Sequence, residues 1–206
     1  MQIVVVGAWL GGLSPLPQGA WGDFMLYVGL DGAVVPADAA LHHQVVVQQP
    51  LGRGNSVFLS LSPSWDGRRA LDGRRALTVS AHTPLGEWWQ SNGSDRRAYE
   101  ALKEEYTRKL LDAAGVVLPG VREAAEPVLA ATPVTFQRFP SRERGWVGGF
   151  PQTTLTRSRG PRLAPGLWKV GDSIFPGQSV AAVAPGGMRV ARAIVDGRTS
   201  DVKGWR

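Results

Sequence analysis

Residues 56–62 read SVFLSLS, and along them apolar and polar side chains alternate with a period of two. Such alternation predicts a β-strand that lies with one face on a hydrophobic core. Residues 76–82, ALTVSAH, alternate in much the same way, and residues 24–30 and 43–48 are apolar or β-branched runs of strand length. Because turns rich in Gly, Pro and Asp join these segments, the sequence predicts a largely antiparallel sheet.

A helix pattern follows the strands, between residues 95 and 114. Its apolar side chains recur at helical spacing and are Tyr99, Leu102, Tyr106, Leu110 and Leu111. Ser94 or Asp95 is suited to cap its start, and Gly115 lies where a helix commonly ends. Strands and helix together predict an α+β fold. The remaining predicted elements are short strands at residues 127–130, 134–136 and 167–170 and a last helix over residues 178–195.

The hexapeptide DGRRAL occurs twice in succession, at residues 66–71 and 72–77. A repeat of this length is too short to build a solenoid. Both copies are polar and contain glycine, so they predict a lengthened loop between two strands. Such a loop is tolerated because the entropic cost of closing a loop grows slowly with its length.

Composition limits the class of protein. The chain has 206 residues, of which 43% are hydrophobic, so it is globular and long enough to bury a core. Its 26 glycines and 15 prolines favour short elements and many turns over a helical bundle. The absence of cysteine excludes disulfides, thiolate metal sites and cysteine nucleophiles, and fits a reducing cytoplasm.

The formal net charge is +6, and the excess is concentrated between residues 134 and 170. Against the single acid Glu143, this basic stretch contains Arg138, Arg142, Arg144, Arg157, Arg159, Arg162 and Lys169. It is compatible with contact to anionic lipid, although a solvated face is the simpler interpretation. No nucleic-acid motif accompanies the basic residues, so nucleic acid is not predicted as a partner.

The histidines are His42, His43 and His82, and they do not predict a metal site. Neighbours on a strand face opposite sides, so His42 and His43 do not readily bind one ion, and no cysteine is present to complete a site. No Gly-x-Ser-x-Gly motif of a serine hydrolase occurs. Ser80 and His82 share one face of a strand, where core or cross-strand packing is the preferred interpretation. No catalytic residue is predicted.

The first thirteen residues, MQIVVVGAWLGGL, resemble the start of a dinucleotide-binding fold, in which a strand leads into Gly-x-Gly-x-x-Gly. Gly7 and Gly12 match the outer glycines, but Trp9 takes the middle position, where the backbone must approach a pyrophosphate. Prolines follow where a helix is required, so the motif is predicted to be broken. These prolines also end the apolar run before it could span a membrane, and without a basic start a signal peptide is not predicted.

Residues 167–194, LWKVGDSIFPGQSVAAVAPGGMRVARAI, form the strongest candidate ligand site. A strand ends near Gly171, Asp172 follows at once, and a Pro-Gly turn leads into a helix whose first side chains are small. The helix start offers free backbone N–H groups and a partial positive charge to an electron-rich ligand. Asp172 is suited to accept hydrogen bonds from ligand hydroxyls, but the residues alone leave it equally open as an ordinary turn residue.

This segment resembles the C-terminal FAD-binding motif of phytoene desaturase-like flavoenzymes, the carotenoid desaturases and isomerases related to flavin amine oxidases. The resemblance continues upstream in the same order, through FMLYVGLD, HHQVVV, LTVSAHTPLGEWW, YEALKEEYTRKLL, LPGV and AATPVTFQRFPSRERGWVGGFPQ. It implies FAD as cofactor and an apolar polyene as substrate. In the family, the acid at the position of Asp172 binds the ribityl–phosphate part of FAD, and the backbone at Val180 and Ala181 faces the pyrimidine edge. The implied cofactor-binding residues are Gly171, Asp172, Gly177, Gln178, Ser179, Val180 and Ala181.

The resemblance also implies a domain organisation. Residues 1–22 are an atypical N-terminal segment, residues 23–150 a substrate-binding domain, and residues 151–206 the C-terminal part of an FAD-binding domain. The family's dinucleotide-binding half is expected as a missing partner, whether through internal deletion, a split gene or an incomplete sequence. We expect a cytoplasmic protein with possible peripheral membrane contact. The alternative is a non-catalytic remnant or a hydrophobic-ligand-binding module that retains only the substrate domain.

Overall fold

The computed structural model describes residues 4–6, 20–147, 160–172, 174 and 179–196. The strands within these residues are β1 (Val4–Val6), β2 (Trp21–Asp31), β3 (His42–Val46), β4 (Ser56–Leu61), β5 (Arg74–Pro84), β6 (Ala125–Ala131), β7 (Arg162–Ala164) and β8 (Leu167–Lys169). The α-helices there are α1 (Leu85–Ser94), α2 (Arg96–Gly115), α3 (Val121–Ala124), α4 (Pro133–Arg138) and α5 (Val180–Val195). The predicted α+β fold is confirmed.

The larger sheet has the strand order β3-β4-β5-β2-β6, and every neighbouring pair in it is antiparallel. Its centre is the pair β2 and β5, eleven residues each, which stay in register from Trp21 opposite Pro84 to Asp31 opposite Arg74. The four predicted strands are therefore confirmed. The short strand predicted at residues 127–130 is also present, as part of β6.

One face of this sheet carries the main core. Along β2, β4 and β5 alternate side chains are buried, and they include Phe24, Leu26, Val57, Leu59, Leu77 and Val79. Helices α1 and α2 cover this face, since Trp88 of α1 and Tyr106 of α2 lie with ring centroids 5.5 and 5.2 Å from the ring of Phe24. The side chains between the buried ones point the opposite way. We call that side the open face, and its main members are Asp23, Met25, Tyr27, Phe58, Thr78, Ser80, His82 and Leu129.

The observed helices agree in part with those predicted from the sequence. The predicted helix is α2, and the side chain of Asp95 caps it by accepting a hydrogen bond from the backbone N–H of Arg97 at 2.8 Å. The strand predicted at residues 134–136 is wrong, because α4 occupies them. Thr132 forms a capping box with Thr135, and Pro133 takes the first helical position, where its missing N–H costs nothing.

The DGRRAL repeat is not one long loop, so that prediction is also corrected. The first copy lies in the loop between β4 and β5, but residues Arg74 to Leu77 of the second copy form the start of β5. Leu77 is 1% exposed in the core, whereas Leu71, at the same place in the first copy, is 82% exposed. Identical hexapeptides therefore differ in structure because only the second copy pairs with a neighbouring strand, β2.

A second, three-stranded sheet has the order β1-β8-β7, with β1 parallel to β8 and β7 antiparallel to it. Trp168 of β8, Ile174 and Val190 of α5 form its small buried cluster. The predicted last strand and last helix are thus confirmed, and the helix continues through Pro185. Gly7, Trp9 and Gly12 of the broken dinucleotide motif lie outside the described residues.

Candidate cofactor and substrate site

The turn after β8 holds Asp172 in place. Gly171 has φ of +110°, a backbone conformation that glycine adopts without a Cβ clash. The backbone N–H of Ile174 donates to the Gly171 carbonyl at 3.4 Å, and the Ile174 side chain is buried at 1% exposure. The strand end and this buried anchor together fix the position of Asp172 relative to the small sheet.

The start of α5 is open to a ligand. Ser179 precedes the helix with φ of +78°, and its own side chain does not cap the helix. Its carbonyl accepts from the N–H groups of Ala182 and Val183, at 3.1 and 2.8 Å. Ser179, Val180 and Ala181 are exposed, so the first turn presents backbone N–H groups and the positive end of the helix dipole beside small side chains. Gly177 and Gln178, also predicted to bind the cofactor, lie outside the described residues.

Asp172 has a partner that no local sequence pattern predicts. Its Oδ2 lies 2.6 Å from Nη1 of Arg142, and the Asp172 side chain is only 19% exposed. Arg142 comes from the basic stretch and is positioned by the segment after α4, where its backbone N–H donates to the carbonyl of Phe136. This ion pair joins the region next to the large sheet to the turn of the small sheet.

Other arginines of the basic stretch lie against aromatic rings. The guanidinium of Arg144 is 6.0 Å from the ring centroid of Trp89, and that of Arg162 is 6.0 Å from the centroid of Trp168. Arg138 lies over Phe139 at 5.4 Å. The described part of the stretch is therefore built into the local packing. Arg157 and Arg159 lie outside the described residues.

These residues fit part of an FAD molecule. The exposed helix start, with its small side chains, fits the edge of a flat ring that carries hydrogen-bond acceptors. Asp172 is an acceptor for sugar hydroxyls, although a hydroxyl that binds it has to share the carboxylate with Arg142. Glu143, next to Arg142 in the chain, has its Oε2 buried without a hydrogen-bond partner among the described residues.

The open face combines apolar side chains with one charged pair. Tyr27, Phe58 and Leu129 are 47%, 42% and 61% exposed there. At the end of the face near Pro84, the His82 ring nitrogen Nδ1 lies 2.7 Å from Oδ1 of Asp23, directly opposite on β2. The hydrogen bond to Asp23 raises the pKa of His82, against the lowering effect of partial burial. The cross-strand interpretation of His82 agrees with this contact.

A cavity of about 330 Å³ opens at the other end of the open face. We call it the Tyr27 cavity. Its walls include Tyr27 of β2, Thr78 of β5 and Leu129 of β6, together with Leu71 and Arg74 from the two copies of the repeat.

Over the residues that the structure describes, no group of three or more His, Asp or Glu side chains could hold a metal ion.

Comparisons with known proteins identify relatives of the chain. No protein-family model matches it. A prolycopene isomerase of Arabidopsis thaliana is 31% identical over 180 residues, which cover 82% of this chain and 29% of that protein. A prolycopene isomerase of Daucus carota is 29% identical, with 82% and 28% covered. The predicted resemblance to carotenoid desaturases and isomerases of the phytoene desaturase-like family is confirmed by these prolycopene isomerases.

The chain spans less than a third of the length of the curated relatives that it matches. The relatives are named as chloroplastic proteins, and a cytoplasmic location for this chain stays a prediction. No helix in the described part of the chain is long and apolar enough to cross a bilayer.

Proposed function

We propose that the chain forms the substrate-binding sheet and the C-terminal part of the FAD site of an enzyme that desaturates or isomerises a carotenoid-like polyene. The observation that carries this proposal is the match to prolycopene isomerases over 82% of the chain. The exposed helix start of α5 and the apolar open face support it, because they provide one surface for a flavin edge and another for an apolar substrate.

On the cofactor side, each residue has a separate task. FAD supplies hydride and electron transfer chemistry when it is bound. The carboxylate of Asp172 accepts hydrogen bonds from the ribityl hydroxyls, and Arg142, whose guanidinium suits anionic oxygens, stands beside it. The N–H groups of Val180 and Ala181 would hold the pyrimidine edge of FAD, and the positive end of the α5 dipole would stabilise negative charge there.

On the substrate side, the open face excludes water from an extended apolar chain. The two central strands have eleven residues each, which at about 3.3 Å per residue gives a surface roughly 35 Å long. Tyr27, Phe58 and Leu129 offer apolar and aromatic contact along this surface. Burying them against a polyene contributes binding energy through the hydrophobic effect without requiring any directional bond.

A second candidate function is a hydrophobic-ligand-binding module without catalysis. The engagement of Asp172 by Arg142 favours it, because FAD hydroxyls then have to compete with an existing ion pair. Trp9 in place of the central glycine of the dinucleotide motif favours it as well. Under this alternative the open face binds a polyene, but the chain neither binds FAD nor converts the polyene.

The experiment that tests the proposal joins the chain to the dinucleotide-binding half of a prolycopene isomerase and measures FAD affinity and polyene turnover. Asp172→Ala removes one or two charge-assisted hydrogen bonds and weakens FAD by roughly 2–4 kcal/mol, about 30- to 1,000-fold in Kd. Asp38→Ala, an exposed acid far from the turn in sequence, serves as the matched control and leaves the affinity unchanged.

Product analysis separates the two candidate functions. Chromatography of the polyene isomers detects conversion by the joined protein if the enzyme proposal holds. Polyene binding with no FAD uptake and no conversion supports the ligand-binding module instead. Equal FAD affinities for the Asp172→Ala and Asp38→Ala variants return Asp172 to the role of an ordinary turn residue.

A further inference from the structure

His82 and Asp23 form a hydrogen-bonded pair on the open face, and the function proposed above uses neither of them. His82 lies on β5 directly opposite Asp23 on β2, with its Nδ1 2.7 Å from the Asp23 Oδ1. The side chain of Asp23 is 24% exposed and that of His82 is 61% exposed, so the carboxylate is held in the sheet while the ring extends from it. A ligand on the open face can therefore contact the imidazole.

The contact with Asp23 decides which nitrogen of the ring is available. An ionised carboxylate only accepts hydrogen bonds, so Nδ1 carries the proton and Nε2 of the neutral ring is an acceptor. Within the described residues no group bonds to Nε2. The hydrogen bond to Asp23 also raises the pKa of His82, against the lowering effect of partial burial, and so makes Nε2 a stronger proton acceptor. A carboxylate on one ring nitrogen and a free second nitrogen are what a histidine base requires.

The other groups around His82 leave the effect of Asp23 in place. Ser56 of β4, which the register of β4 and β5 places on the other side of His82, is neutral. The cation of the adjoining loop, Arg53, is already paired with Glu87 at 2.5 Å. The charge that acts on the imidazole is therefore that of Asp23.

The pair lies at the end of the open face that is tied to the candidate cofactor site. Gly22, next to Asp23 in the chain, forms a β-bridge with Trp146. The segment that ends in Trp146 also carries Arg142, which is paired with the Asp172 carboxylate at 2.6 Å. A polyene on the open face therefore reaches the imidazole at the end where the sheet adjoins the cofactor turn.

We propose that His82 is the base that accepts a proton from the polyene on the open face, and that Asp23 is the residue that positions it. Loss of hydrogen from two adjacent carbons releases one hydrogen as a hydride, which passes to FAD, and the other as a proton. Nε2 of His82 takes this proton, and the electron pair of the broken C–H bond forms the new double bond. This assignment rests on the function proposed above, and it requires a substrate with adjacent saturated carbons.

The joined protein with bound FAD tests the catalytic role, with phytoene, an acyclic polyene that has adjacent saturated carbons, as the probe. His82→Gln keeps a polar side chain but removes the base, so kcat for desaturation should fall by about 100-fold or more while KM changes little. His43→Gln is the matched control, because the His43 ring contacts the backbone carbonyl of Ala40 and its partner on β4, Leu59, is on the buried face. The control should leave kcat and KM unchanged.

Asp23→Asn tests the positioning role. Without the negative charge the pKa of His82 falls, so the imidazole remains neutral to lower pH and the acidic limb of the kcat profile should move to lower pH. Flavin absorbance per chain, measured for each variant, verifies that cofactor loading is unchanged. A profile that does not move would contradict the role of Asp23.

A second readout requires neither FAD nor turnover. Phytoene in detergent micelles is added to the full chain, and the imidazole resonances are followed by nuclear magnetic resonance. We expect those of His82 to shift, because the ligand covers the ring, and those of His43 to stay in place. Micelles without phytoene provide the blank.

Two results would overturn the proposal directly, namely equal kcat values for His82→Gln and His43→Gln, or His82 resonances that phytoene does not move. Isomerisation of the polyene without loss of hydrogen would overturn it as well, but would leave the proposed function standing. A joined protein that takes up no FAD and converts no polyene would refute the proposed function, and the proton-accepting role of His82 with it.

Discussion

Thr83 is fully buried at the end of β5, beneath the two helices that cover the sheet. Its hydroxyl donates to Oη of Tyr106 at 2.8 Å and accepts a hydrogen bond from Nε1 of Trp88, also at 2.8 Å. One threonine thus satisfies polar groups of both α1 and α2 within an aromatic core. Burial raises the pKa of the Tyr106 hydroxyl, so the group remains protonated at neutral pH and is available to this network.

Thr83→Val tests this network. The substitution keeps the side-chain volume but leaves the indole N–H of Trp88 buried without its acceptor, so we expect a loss of about 1–3 kcal/mol in the free energy of unfolding. Thr78→Val is the matched control, because Thr78 lies on the open face of the same strand. Urea unfolding measures both. Equal losses for the two variants would show that the network contributes nothing specific.

The pair of His82 and Asp23 predicts a pH dependence. Asp23 raises the folded-state pKa of His82 above the usual value of 6.5. The stabilisation is therefore fully present below the unfolded-state pKa, about 6.5, and is lost as the pH rises through the folded-state value. We expect the advantage of the unaltered chain over His82→Gln, measured by urea unfolding, to be larger near pH 5.5 than near pH 8.5.

Asp23→Asn provides the control for this prediction. It removes the negative charge and should lower the His82 pKa, which a nuclear magnetic resonance titration of the imidazole reports. A His82 pKa that does not change in Asp23→Asn would contradict the account. The pair is more than half exposed on the histidine side, so the effect on overall stability is expected to be modest.

At the scale of secondary-structure elements, α2 is held by its cap as well as by its buried face. Asp95→Ala removes the acceptor for the Arg97 N–H and should destabilise the chain by about 1 kcal/mol. Asp95→Asn keeps an acceptor oxygen and should cost only a small part of that. Thermal or urea unfolding of both variants checks the difference, and a similar loss in both would assign the effect to charge rather than to capping.

The elements that the sequence predicts well are those in which burial follows a regular period. In β2, β4 and β5 every second side chain is buried, and in α2 the buried residues recur at helical spacing. Helix α1 buries only Leu85 and Trp88 and so carries no clear period. Residues 134–136 contain β-branched side chains typical of strands, but the local capping of α4 outweighs that propensity.

The candidate site is predictable only in its local part. The turn that carries Asp172 and the helix α5 follow one another in the chain, so their relation can be inferred from order and residue type. Arg142 lies 30 positions before Asp172, and their contact depends on how the segment after α4 packs, which no local pattern encodes. The pair of His82 and Asp23 likewise required the register of β2 and β5.

At the scale of the whole molecule, two sheets with different roles are connected through the ion pair of Arg142 and Asp172. The five-stranded sheet has an apolar open face, and we propose that the three-stranded sheet with α5 provides polar groups for a flavin. The chain covers less than a third of the curated relatives, and its own dinucleotide motif carries Trp9 in place of glycine. In the proposed function, the adenosine and pyrophosphate of FAD are therefore expected to bind outside this motif.

The measurement that tests this central claim most directly is the flavin absorbance of the purified 206-residue chain after incubation with FAD and gel filtration. The chain alone offers Asp172 and one helix start against an association cost of about 4 kcal/mol or more, so it should emerge colourless. Joined to the dinucleotide-binding half of a prolycopene isomerase, it should emerge yellow with one FAD per chain. Stoichiometric FAD on the chain alone, or none on the joined protein, would contradict the account.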